Sequence, residues 1–195
     1  MKRLIFMLCV TLLLTACSSE GTSTDQAKED SEKTAEDKGK KYADVLKKAV
    51  PMLTDDQGEL SETSYDYVTE HETIFPAVTE EAITKVKADA QSVDIKLLNK
   101  NLQPHLSTLM TFTGQVVQVD ETTHDFGETE TWLNVYDENA DMSYHVYMFK
   151  TSGDILEDDY IQFWGIPLTT YSYNTTDGGF RNTILFFASH VEKAQ

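Results

Sequence analysis

The apolar residues of this 195-residue chain change their spacing near Ser107, and that switch limits what it can fold into. Before it they recur at i, i+3, i+4 and i+7, as Tyr42, Val45, Leu46 and Ala49 do. After it they alternate with period two. The first spacing lines one face of a helix, the second one face of a strand. Strand one sets Phe112, Gly114 and Val116 against Val117 and Val119. Residues 131–136 form strand two, and Asp137-Glu138-Asn139-Ala140-Asp141 the turn after it. Residues 142–149 form strand three, with Tyr144, Val146 and Met148 opposite His145, Tyr147 and Phe149. Residues 160–166 form strand four, stopped by Pro167. Residues 182–191 form strand five, whose run Ile184-Leu185-Phe186-Phe187-Ala188 predicts burial on both faces. Five short strands with turn punctuation suit a small closed barrel. An SH3-like barrel and an irregular sandwich stay open as alternatives.

Ahead of the strands, residues 42–105 read as a helical lead. A short helix through Tyr42, Val45, Leu46 and Ala49 ends at Pro51. Leu60-Ser61 followed by Tyr65, and Val78-Thr79 followed by Ile83, have the form of hydrophobic staples around N-caps. They predict helices over 62–68 and from residue 80, the latter with Ile83, Val86, Ala90 and Val93 on one stripe. Residues 99–105, with Pro104 inside, read as a turn. The stripes are too narrow to make a core alone, so the lead is expected to pack on the strands. The fold class is α+β: short helices followed by a five-stranded β-barrel over residues 106–195.

The first 41 residues belong to neither part. Met1-Lys2-Arg3 is a basic start, and residues 4–14 are an apolar run interrupted only by Thr11. Eleven residues cannot cross a bilayer core, which needs ~20, so the run reads as an export signal. It closes on Leu14-Thr15-Ala16-Cys17, which resembles the lipobox of bacterial lipoproteins. That resemblance implies a signal peptide over 1–16, cleavage before Cys17, a diacylglycerol on its sulfur, and palmitate as a further lipid. The partner is then a membrane, and the address its extracytoplasmic face, a Gram-positive surface being favoured. Two acyl chains hold a protein stably where one does not. Residues 18–41 contain only Ala27 and Ala35 as apolar residues, so residues 17–41 are expected to be a disordered acidic tether.

Phe112-Thr113-Gly114-Gln115-Val116-Val117-Gln118-Val119 resembles the first strand of an OB-fold, with a glycine where that strand must bend. The stretch from Gly153 through Asp159 to Gly165 is similar to that fold's polar loop leading into strand four. With the lipobox, the chain resembles small bacterial OB-fold lipoproteins. Fold alone implies no function.

Motifs for chemistry are sparse. Asp137-Glu138-Asn139-Ala140-Asp141 begins like a calcium loop, but its sixth and twelfth positions hold Met142 and Met148 instead of Gly and Glu. His71, His105, His124, His145 and His190 show no metal-binding spacing, and Cys9 and Cys17 both precede the folded part. No G-x-S-x-G or Ser-x-x-Lys pattern occurs. No catalytic residue, metal or cofactor is assigned, and an enzyme is not expected. With Lys+Arg 16 against Asp+Glu 33, the net charge of -17 argues against nucleic acid as a partner. The candidate site is the stretch 169–181, read as a loop between strands four and five. Tyr171, Tyr173 and Phe180 offer stacking faces there, Asn174 and Arg181 polar reach, and Trp132 and Trp164 an extension. The competing reading is that these rings simply pack. The expected function is a non-enzymatic, membrane-anchored binding module for a protein, peptide or glycan. The alternative is an accessory subunit of an envelope complex that touches its partner through the helical lead.

Overall fold

The computed structural model describes residues 23–123, 128–175 and 178–194. The expected signal peptide and Cys17 lie outside these residues.

Four α-helices precede the strands: α1 (Ser23–Leu53), α2 (Glu62–Glu70), α3 (Glu80–Asp89) and α4 (Ile95–Lys100). The N-caps of α2 and α3 are the expected ones. Ser61 Oγ accepts from Ser64 N–H at 3.0 Å, and Thr79 Oγ1 from Ala82 N–H at 3.2 Å. Three expectations change. The helix expected from Tyr42 starts at Ser23, so residues 23–41 are helical where composition predicted a disordered tether. A helix already packed at its C-terminal end propagates backward without a new nucleus, and Ala, Glu and Lys favour it. Pro51 sits inside the last turn instead of stopping it; Thr54 Oγ1 closes the end by donating to Val50 O at 2.8 Å. Finally α3 stops at Asp89, and α4, capped by Asp94, takes in Asn99 and Lys100, the first residues of the segment expected to turn.

The strands β1 (Met110–Thr123), β2 (Thr129–Asp137), β3 (Met142–Met148), β4 (Tyr160–Asn174) and β5 (Phe180–Lys193) close a barrel in the order β1-β2-β3-β5-β4. Every pairing is antiparallel except β3 with β5. β1 serves two neighbours, pairing with β4 up to Gln115 and with β2 from there on. Gly114 sits at the handover, where a Cβ would lie 2.6 Å from Tyr136 O. A bulge between Val116 and Gln118 then corrects one facing. Val119 turns in against the barrel core with Val116, leaving Val117 exposed.

Two cores result. Phe112, Leu133, Tyr144, Phe163 and Phe186 fill the barrel, with Ile95 and Leu98 of α4 joining them. Outside it, Ala43, Leu46 and Val50 of α1 pack with Phe75, Val86, Trp164 and Phe187. β5 divides its residues as its two-faced run predicts, Ile184, Phe186 and Ala188 inward and Leu185 and Phe187 outward to the lead. A second bulge, between Trp164 and Gly165, leaves Ser189 of β5 between paired positions. Its carbonyl accepts from Ala77 N–H at 3.0 Å and its hydroxyl donates to Ile74 O, tying the lead to the barrel. Opposite it, a Cβ on Gly165 would meet Phe187 O and lie 2.9 Å from Ala188 Cα. Both are backbone and cannot swing aside, so Gly165→Ala is expected to cost about 1–3 kcal/mol, read as a lowered urea midpoint at unchanged slope.

Candidate functional site: a polar cleft beside the β4–β5 arm

Strand four does not stop at Pro167. The ladder shifts register between Pro167 and Thr169 and runs on to Asn174 paired with Phe180. The expected loop 169–181 is therefore mostly a two-stranded arm, paired out to Asn174 and Phe180. Proline is tolerated there because it sits beside an irregularity in the ladder and beyond the reach of β1, whose pairing with β4 ends at Gly165.

This redistributes the candidate residues. Tyr171 is buried, its hydroxyl bonded to His145 Nδ1. Tyr173 lies over His145 with ring centroids 4.7 Å apart and donates to Ser143 Oγ at 3.0 Å. Trp132 approaches the same imidazole at 4.8 Å, and Trp164 is buried under the lead. The two tyrosines and Trp164 thus serve packing, not open stacking. Asn174 and Phe180 are exposed near the tip of the arm, Phe180 at 74 %. The outward face of β3 is closed as well, since Ser143, His145 and Tyr147 are 5 %, 3 % and 4 % exposed. Burial pushes the His145 imidazole down to about 4, so it is neutral at pH 7.

Of the five candidates, Tyr171 and Arg181 line a cleft of ≈ 690 Å³ between the arm, the β2–β3 turn and the lead. Gln57, Asn99, Asp141 and Asn182 complete its polar wall. Gln57 acts as a short substitute strand for β4: its Nε2 donates to Ser172 O at 2.8 Å and its Oε1 accepts from Ser172 N–H at 3.0 Å. Ser172 Oγ in turn donates to Asn182 Oδ1 at 2.7 Å. Arg181 Nη1 donates to Asp141 Oδ1 at 3.3 Å, and Tyr136 Oη to the same oxygen at 2.8 Å. The Tyr136 hydroxyl, and after it the guanidinium, hold the Asp141 carboxyl below its ordinary range. Asp141 is fixed by the turn itself, at φ 49, while Asp137 Oδ1 accepts from Asn139 and Ala140 N–H. The sequence did not single out Gln57 and Asn99, and it offered Asp141 only as part of a turn. Each reaches the cleft only through tertiary contact, and a lone Gln in a polar turn carries no signal.

No protein-family model and no curated protein matches the sequence. Among solved structures the chain is similar to the mitochondrial single-stranded DNA-binding protein of S. cerevisiae, at 11 % identity, 45 % of this chain, 92 % of that one and TM-score 0.31. It is similar also to a small single-stranded DNA-binding protein from Streptomyces coelicolor, at 15 % identity, 44 % and 93 % of the two chains and TM-score 0.32. A third is the second OB-fold domain of replication protein A from Methanococcus maripaludis, at 12 % identity, 44 % and 83 %, TM-score 0.27. Likeness this distant bears on fold alone. The exclusion of nucleic acid does not stand: a whole-chain charge of -17 does not fix the potential at one face, and two of these similar proteins are named for binding single-stranded DNA. The closed order β1-β2-β3-β5-β4 with its single parallel pair makes this domain OB-like, carried behind a helical lead.

Proposed function

We propose that the chain is a lipid-anchored extracytoplasmic binding protein, tethered through Cys17, whose cleft beside the β4–β5 arm takes a glycan. The cleft is the observation that carries the binding reading. It is large enough for a few sugar rings, and amides and hydroxyls from Gln57, Asn99, Ser172 and Asn182 surround one Arg181–Asp141 pair. Saccharides are recognised by many neutral hydrogen bonds, and the arm and strand 2–3 side of this fold class is where oligosaccharides and oligonucleotides are held. The anchor reading is supported by Met1-Lys2-Arg3, the apolar run and Leu14-Thr15-Ala16-Cys17.

Cell-wall oligosaccharides, peptides and oligo-dT titrated onto the full chain test the ligand. Binding of the oligosaccharides is expected, weakened about tenfold by Arg181→Ala with Asn182→Ala. Peptide or oligo-dT binding in place of glycan binding refutes the ligand class, and glycan binding indifferent to the double variant refutes the cleft. Labelling with a clickable fatty acid tests the anchor: label is expected on the parent and absent from Cys17→Ser.

A further inference from the structure

A second cavity, of ≈ 310 Å³, opens on the other side of the lead, between α1, the start of β2 and the end of β3. Its walls are mixed. Tyr42 and Phe149 stack at 4.9 Å between centroids, and Val45, Pro76 and Val78 continue the apolar surface. Val78 is 68 % exposed at its rim. Lys38, Lys41 and Lys150 bring three cations to the same space. Two carboxylates line it as well. Glu128 is taken by Lys41 at 2.6 Å, and Glu130 interacts with the Tyr147 hydroxyl.

Lys150 is the unusual member. Half-buried at the end of β3, it donates from Nζ to Ala77 O at 2.9 Å and to His190 Nδ1 at 2.9 Å. His190 can accept because its other nitrogen faces Glu192 Oε2 at 3.2 Å, which fixes the tautomer with the proton on Nε2. Burial, and after it the charge of Lys150, hold the His190 imidazole below its usual range, so it stays neutral. An ammonium has three N–H donors, and these two neutral acceptors use two. Among the described residues no carboxylate forms an ion pair with it. A desolvated cation held by neutral acceptors, at the wall of an aromatic cavity, lacks the counter-charge that usually accompanies burial.

We propose that this cavity binds an organic carboxylate, its acid group on the Lys150 ammonium with Lys38 nearby, and its apolar body against the stacked Tyr42–Phe149 pair and Val78. A charge-assisted hydrogen bond supplies orientation and the rings supply contact area. The site shares no lining residue with the cleft of the β4–β5 arm, so neither proposal stands on the other.

The test titrates 4-phenylbutyrate, and 4-phenylbutyramide as its neutral twin, into the full chain carrying Cys17→Ser, so that no acyl chain competes. The acid is expected to bind at least about tenfold more tightly than the amide, a difference that Lys150→Met abolishes and Arg181→Ala leaves intact. Val78→Glu places a negative charge at a rim position that is 68 % exposed, and is expected to weaken the acid selectively. Equal binding of acid and amide, no binding of either up to their solubility, or indifference of the acid to Val78→Glu each overturns the proposal. The comparison of the two probes needs no variant, so it stands even if Lys150→Met fails to fold.

Discussion

Phe187→Ala is expected to lower the stability of the folded chain by about 3–5 kcal/mol, the range found when a buried aromatic ring is truncated and its surroundings collapse only in part. The ring is fully buried on the outer face of β5, where barrel and lead meet. It stacks on Phe75 at 5.1 Å and 16° and meets the edge of Phe149 at 5.2 Å and 67°. Against a typical total of about 5–15 kcal/mol, that is about a fifth of the margin or more. Phe186→Ala makes an informative partner. Its ring points into the barrel, edge-on to Tyr144 and Phe163. Both variants are expected to lower the denaturation midpoint. Only Phe187→Ala is expected to release amide protons of α1 and α2 ahead of those of the strands, because the bond it breaks is between layers. A loss below about 1 kcal/mol for Phe187→Ala would contradict this account of the interface.

The second large effect concerns acid. His145 is held neutral by burial, its protonation point pushed down to about 4 from an ordinary value near 6.5. Between those two pH values the unfolded chain carries a proton on this imidazole and the folded chain does not. Stability from this group is therefore complete above about pH 6.5, falls as the pH drops toward 4, and levels off below that, with a loss of about 3 kcal/mol. Comparing the parent with His145→Gln at pH 7 and at pH 4 removes the background of the many carboxylates. The parent is expected to lose about 3 kcal/mol more than the variant over that interval. Parallel losses in the two proteins would mean that the imidazole is solvated or already charged.

How far the residues foretold these arrangements depends on the range of the force involved. The starts of α2 and α3 were legible because a cap is complete within four residues, Ser61 to Ser64 and Thr79 to Ala82. The five strands and the two-faced burial of β5 were legible because pleat alternation is local too. The continuation of β4 was not. Pro167 reads as a stop unless the bulge beside it is known, although Tyr171 and Tyr173 already stood at strand spacing. The length of α1 was hidden for another reason: composition reports burial capacity, whereas this helix extends from an end that is packed. The cleft was only partly visible. Arg181 and Tyr171 could be singled out, but Gln57 and Asn99 are brought in from the lead by contacts that no spacing encodes.

One consequence of the barrel's seam concerns time. Ser143 of β3 pairs with Thr183 of β5, and the first half of β4 must return to β1. While the chain emerges from a ribosome, the meander β1-β2-β3 can form, yet its inner and outer surfaces have nothing to cover them until β5 arrives. Closure is thus a late, non-local event of high contact order, which slows folding and prolongs the exposure of unpaired edges. The lead emerges earlier but cannot dock in advance, since Phe187 and Ser189, which grip it, belong to that last strand. The molecule is in this sense finished from its far end, and any helper that shields it in transit has to remain until then.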